Sequence, residues 1–199
     1  MRKLLCAACV LAMFFPAFPL AAQEDDDDYI PTYILGDQML MMNAGLFLPL
    51  FFQDLSGTTH STRLSLGGVG SIQYSTYLNN NMTLGFEGGG MFAFTPNDNN
   101  LFMVPVTVRY SYILRAYPFD FPLSIAAGVN FARLGSAVRT LPILKPGVSA
   151  YWNYDAAWAF GINFVYWWTP DIYMGPSPPH GHSRFGNFLE ISLSARYHI

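Results

Sequence analysis

The stretch Met82–Tyr117 reads MTLGFEGGGMFAFTPNDNNLFMVPVTVRYSYILRAY, and it decides the fold. From Met82, every second residue is apolar or glycine: Met82, Leu84, Phe86, Gly88, Gly90, Phe92, Phe94. The alternate set is Thr83, Gly85, Glu87, Gly89, Met91, Ala93 and Thr95. After Pro96-Asn97-Asp98-Asn99-Asn100, a dense turn signal, the alternation resumes at Phe102, Val104, Val106, Val108, Tyr110, Tyr112, Leu114 and Ala116. Thr107, Arg109, Ser111 and Arg115 lie on the other side. Side chains alternate faces along a strand and not along a helix, so period two over this length predicts two strands joined as a hairpin. With the turn centred on Asp98, Glu87 and Arg109 are expected to face each other as a cross-strand ion pair.

The same pattern recurs on both sides. Strands are predicted over about 38–48, 63–78, 82–95, 102–116, 123–131, 145–154, 157–169 and 185–199. In the first strand, Leu40, Met42, Ala44, Leu46 and Leu48 share a face, while Met39, Met41 and Phe47 fall on the wrong one. Pro142 and Pro146 obscure where the sixth strand begins, because proline cannot donate to a ladder. The connections 51–61, 96–100, 132–144 and 170–184 are the longer set, and 79–81, 118–122 and 155–156 the shorter. Eight antiparallel strands with long loops at one end and short turns at the other form the pattern of an outer-membrane barrel. A spanning strand needs about 9–11 residues, and these runs supply them. The fold class expected is all-β: an eight-stranded antiparallel up-and-down transmembrane β-barrel, residues 36–199, preceded by a signal peptide.

Composition decides which face looks outward. The 199-residue chain is 52% hydrophobic and only 12% charged, where an ordinary soluble domain carries about 25% charged residues. A water-facing polar side would be dense in Lys, Glu and Asp. Here it is Ser, Gly, Ala, Asn and Thr, with Arg63, Glu87, Arg109, Arg115, Lys145, Glu190 and Arg196 spread over the strands. Such a face suits a narrow lumen, and its five basic groups against two acidic ones favour either anions in a wet bore or a plug of ion pairs. Eight strands enclose little more than their own side chains, which favours the plug. The oily face is nearly free of charge, as lipid contact requires. Arg133 is the exception in register, near a strand end from which a long side chain can snorkel to the head groups. Aromatics gather in two belts, as expected at two membrane interfaces: Phe94, Phe102, Tyr166 and Trp168 towards the long loops, and Tyr112, Trp152, Tyr154, Trp158 and Tyr197 towards the short turns.

Residues 1–22 read as a secretory signal peptide, with Arg2-Lys3, an apolar run from Leu4 to Leu20, and Ala21-Ala22 before the cut. Both cysteines, Cys6 and Cys9, lie inside it, so the mature chain is expected to have none. Residues 23–35 form an acidic periplasmic leader around Glu24–Asp28. The formal charge of −3 is no footprint for nucleic acid.

The alternation over 36–199 resembles the small eight-stranded outer-membrane proteins of the OmpA/OmpX/OmpW type. In them, a terminal strand such as Leu189-x-Ile191-x-Leu193-x-Ala195-x-Tyr197-x-Ile199 is the signal read by the outer-membrane assembly machinery, usually with an aromatic residue where this chain has Ile199. The resemblance implies a cell-outer-membrane location, contact with outer-membrane lipid, and assembly through 189–199. The leading function expected is an integral barrel, structural or allowing limited passage of small or apolar solutes. A second is a surface adhesin or ligand-binding barrel, taking a small solute or host ligand through loops 51–61 and 170–184. A third is a lipid-modifying enzyme drawing on His60-Ser61 and on His180, His182 and Ser183. No nucleophile–base–orienter set is apparent in those residues, and His180-Gly181-His182 lacks a third metal ligand in sequence. No catalytic residue, metal or cofactor is therefore expected.

Overall fold

A computed structural model describes residues 32–62, 64–94, 100–135, 137–171 and 184–199. The expected signal peptide and most of the acidic leader lie outside the described residues, as do Arg63, Asp98, His180, His182 and Ser183.

The described chain is all strand and turn. Eight long strands run in sequence: β1 Gln38–Asp54, β3 Gly67–Asn79, β4 Met82–Phe94, β5 Asn100–Ala116, β6 Phe119–Leu134, β7 Ala137–Asn153, β8 Trp158–Asp171 and β9 Arg184–His198. A three-residue strand, β2 Thr59–Ser61, folds back on the end of β1. Each long strand is antiparallel to the next, and β1 pairs with β9 from Met39↔His198 to Asp54↔Arg184, which closes the sheet into a barrel. Closure leaves none of the eight long strands as a free edge, so the main-chain groups of the wall pair within the sheet except where prolines or a bulge interrupt a ladder.

Orientation follows the alternation. Leu84, Val106, Ile162 and Leu193 point outward and are 40%, 49%, 36% and 71% exposed, while Arg109 and Glu190 are 7% and 2% exposed inside. A soluble barrel would invert these values.

The structure corrects several connections. The expected loop 132–144 is almost entirely strand: β6 runs to Leu134, β7 starts at Ala137, and Leu134 pairs with Ala137. Gly135 sits at φ +59°, in the left-handed region where glycine costs least, and turns the chain there. The prolines are accommodated by breaking only one ladder. Pro142 and Pro146 pair with Val129 and Ile125 of β6, while the β7–β8 ladder is interrupted between Leu144 and Gly147. Pro105 does the same on β5: its register with Asn130 is kept, and the β4–β5 ladder breaks between Gly88 and Met91. The expected turn 118–122 shrinks, because β6 begins at Phe119 and carries Asp120 into the wall. The loop 51–61 is shorter than expected, because Phe51–Gln53 and Thr59–Ser61 form a paired hairpin. The second strand, expected from residue 63, begins at Gly67, and Leu64 before it packs on the interior apolar cluster at the long-loop end.

Candidate functional site

The interior is the candidate site, and it has three layers. In the middle, four strands each contribute one charge: Glu87 from β4, Arg109 from β5, Lys145 from β7 and Glu190 from β9. Arg109 donates from Nε and Nη2 to Glu87 Oε2, at 2.8 and 2.5 Å. Lys145 Nζ donates to Glu87 Oε1 at 2.5 Å and lies 3.6 Å from Glu190 Oε2. Neutral donors complete the set. Trp167 Nε1 donates to Glu190 Oε2 at 2.8 Å and Ser192 Oγ to Glu190 Oε1 at 2.9 Å, while Arg109 Nη1 donates to Ser124 at 2.8 Å. Lys145 also stands 4.2 Å from the centre of the Trp167 ring. Two anions and two cations thus cancel inside a low-dielectric space, where an unpaired charge is costly.

The expected Glu87–Arg109 pair forms, but along a diagonal. Phe94 pairs with Asn100, and in that register Glu87 pairs with Thr107, and Arg109 with Gly85. The two-residue offset is within reach of the long arginine side chain.

At the short-turn end lies a second charged group that the sequence reading missed. Asp120 is buried, accepts from Arg196 Nη2 at 2.5 Å, and lies 3.5 Å from Arg115 Nη1. Arg196 also donates to Asn153 Oδ1 at 2.7 Å, and its guanidinium lies 4.7 Å from the centre of the Tyr151 ring. Asp120 changes the interior balance: the described residues hold Arg109, Arg115, Lys145 and Arg196 against Glu87, Asp120 and Glu190. Asp120 thus adds a third interior acid to the expected two, and Arg63 lies outside the described residues.

The leader closes this end. Tyr33 stacks on Tyr77 at 4.3 Å and on His198 at 4.5 Å, under the Arg115 guanidinium at 4.6 Å. Its backbone N–H donates to Asn80 Oδ1 at 3.0 Å. Met39, Met41, Tyr77, Ile113, Tyr151 and Ala159 form the apolar floor beneath it. Burial is the main force pushing the Tyr33 phenol up, from 10.0 to about 12, with the neighbouring Tyr77 adding to it. The folded state therefore holds this proton more tightly than the unfolded chain does. The contribution is intact below pH 10 and is lost as pH rises from 10 towards 12. The Tyr33 segment is expected to release over that window, read in ultraviolet difference absorbance as a phenolate signal that Tyr33→Phe removes, with the strand signal in circular dichroism unchanged. Release below pH 9 would show that the phenol is not buried.

At the long-loop end the bore is filled by Phe47, Met91, Leu101, Met103, Ile143, Trp167 and Phe188, with Phe52 on the outside of the cluster. Phe47 meets Trp167 edge-on at 5.2 Å and Phe188 at 4.9 Å. Met39, Met41 and Phe47, out of place in the outward pattern, are interior fillers; their wrong-face register was the signal. Between the layers there remains a cavity of about 20 Å³, lined in part by Arg109, Ser124, Tyr151, Asn163 and Glu190. That is room for about one water.

Outside, the aromatics stand where the strand ends are. Phe94, Phe102 and Trp168 are exposed towards the long loops, with Trp168 stacked on Phe185 at 5.8 Å; Tyr166 is half-buried and donates to Asn187. Tyr112, Trp152, Tyr154, Trp158 and Tyr197 are exposed towards the turns, with Trp158 at 4.8 Å from Tyr197 and Trp152 at 5.6 Å from Tyr154. His60 Nε2 approaches Asp54 Oδ2 at 3.4 Å on the β1–β2 hairpin. Most of loop 170–184 lies outside the described residues.

A protein-family model matches residues 22–197. An uncharacterized protein of Borreliella burgdorferi is 30% identical over 182 residues, covering 80% of this chain and 82% of the relative. An uncharacterized protein of Treponema pallidum is 24% identical over 211 residues, covering 97% of this chain and 94% of the relative. Among solved structures, Neisserial surface protein A superposes with a TM-score of 0.61 at 12% identity, over 80% of this chain and 96% of its own. The outer membrane protein OprG from Pseudomonas aeruginosa does so with a TM-score of 0.52 at 12% identity, over 84% and 98%. At such identities the likeness shows the fold, which is that of the small eight-stranded outer-membrane barrels.

Proposed function

We propose, for a chain that belongs to one family with the Borreliella burgdorferi protein, that it is an integral outer-membrane barrel with a closed bore, structural and surface-presenting rather than conducting. The observation that carries this reading is the stacking of three seals in series. The Phe47–Trp167–Phe188 layer, the Glu87–Arg109–Lys145–Glu190 layer and the Tyr33–Tyr77 layer pack side chains from several strands into the bore, one after another. An ion entering would have to displace aromatic packing and break buried charge pairs. The outward oily belt meets outer-membrane lipid, and β9, with its 189–199 alternation, offers itself to the assembly machinery. Purified full-length protein in a planar lipid bilayer is expected to hold the current at baseline. Reproducible unitary steps would overturn the closed bore.

A second reading, binding at the long-loop end, has one observation in its favour. The β1–β2 hairpin has an ordered tip, in which Asp54 Oδ1 accepts from Ser56 N, Ser56 Oγ and Thr58 N at 2.9, 2.6 and 3.0 Å and holds Leu55 exposed. A lipid-modifying role gains nothing from His60, since His60 and Ser61 are consecutive strand residues that point to opposite faces.

A further inference from the structure

On the outer wall, β5, β6 and β7 leave an open groove of about 400 Å³ lined by Phe102, Val104, Phe131, Ala132, Arg133 and Val138. Five of these six are apolar. The sixth is the one cation that breaks the outward pattern. Register places Arg133 directly between Phe102 on β5 and Val138 on β7, with Phe131 beside Val104 one step deeper in the wall. Arg133 donates from Nε to the carbonyl of Gly135 at 3.1 Å. That bond draws the guanidinium towards the long-loop end and leaves Nη1 and Nη2 for another acceptor. Among the described residues no carboxylate pairs with Arg133; the Asp171 carboxylate is taken by Arg139 at 2.6 Å. Phe94 and Phe102, exposed at this level, mark it as the depth of the lipid head groups.

We propose that this groove is a binding site for one anionic phospholipid, with an acyl chain lying along Val104, Phe131 and Val138 and its phosphate held by the Arg133 guanidinium. The chemistry follows from what each part lacks. A cation on a lipid-facing wall needs a counter-charge, and the head-group phosphate is the anion present at that depth. Guanidinium and phosphate match as paired donors and acceptors. The groove offers more apolar contact than a flat wall, so a chain seated in it exchanges with bulk lipid more slowly than its neighbours do. The proposal rests on the outward face meeting lipid, which is part of the functional reading above, but it does not rest on the closed bore.

The test uses full-length folded protein in detergent with equal amounts of phosphatidylglycerol and phosphatidylcholine, and counts retained lipids by native mass spectrometry. Wild type is expected to keep one phosphatidylglycerol in preference to phosphatidylcholine by about fivefold, the factor one interfacial cation supports. Arg133→Gln is expected to abolish the preference, and Arg133→Lys to keep part of it. Val104→Trp, which fills the groove and leaves the charge, is expected to lower the retained count of phosphatidylglycerol. Arg139→Gln, which removes a cation already paired with Asp171, should change nothing. Equal retention of the two lipids by wild type would overturn the proposal, as would an undiminished preference in Arg133→Gln or an equal loss in Arg139→Gln. Retention of neither lipid by wild type would overturn it too, whereas failure of the folded protein to insert into lipid bilayers would count against the membrane reading itself.

Discussion

Glu87→Gln is expected to destabilise the folded barrel by about 3–5 kcal/mol, the cost of breaking a buried pair by removing one partner. Glu87 is 2% exposed and receives both Arg109 and Lys145. Without its charge, Arg109 keeps only Ser124 as a close partner, and Lys145 must lean on Glu190 at 3.6 Å. Lys145→Met should cost less, because each remaining charge keeps company: Glu87 retains Arg109, and Glu190 retains Trp167 and Ser192. The double variant Glu87→Gln/Lys145→Met should cost less than the two single effects added, since it restores charge balance and the sites share partners. Urea unfolding midpoints in micelles measure all three. If Glu87→Gln shifted stability by no more than about 0.5 kcal/mol, the size of an ordinary surface change, water would have to be solvating Arg109, and the middle seal would not exist.

That network was partly legible in the sequence, and the limits are instructive. Alternation together with the scarcity of charge was enough to orient every strand, because a one-residue slip would have sent Arg109 or Glu190 into lipid. The Glu87–Arg109 partnership was legible for the same reason: two charges on the inward face of one hairpin have few other places to go. The exact register was not, because loop length, rather than the loop's most turn-prone residue, sets it. Asp120 was lost to its neighbourhood. Two residues after Pro118 it reads as turn chemistry, and only the tight Ala116–Phe119 closure of the hairpin makes it a strand residue. Pro142 and Pro146 misled in the same way, since a proline excludes one ladder of a strand but not both. The interior apolar residues are the larger lesson. Alternation treats Met39, Met41, Phe47, Trp167 and Phe188 as noise or as more grease, whereas in a narrow eight-stranded bore an apolar residue on the polar face is interior packing.

The narrowness of a bore filled with side chains also leads to the largest expected effect. Gly128→Ala, a change of one methyl, should prevent the barrel from closing or destabilise it beyond the roughly 3 kcal/mol usual for overpacking. Gly128 lies on the concave face of β6, opposite Thr107. A β-carbon there would sit 2.1 Å from the carbonyl oxygen of Val106 and 2.7 Å from the α-carbon of Thr107. Both are backbone atoms of the paired strand, so no rotamer change relieves the overlap, and only parting β5 from β6 can. Gly88→Ala is the matched control. Gly88 faces outward on β4, in register with Val106 and Ile72, and an added β-carbon meets nothing within 4 Å. It should fold as wild type or slightly better, because alanine restricts the unfolded chain and adds apolar surface to the lipid-facing wall. The measurement is the yield of folded barrel on transfer from urea into micelles, followed by circular dichroism and protease resistance. The two substitutions are chemically identical, so the expected difference comes from which side of the wall each faces. Equal yields for Gly128→Ala and Gly88→Ala would mean that β6 does not curve tightly against β5, and the narrow, side-chain-filled bore would fall with it.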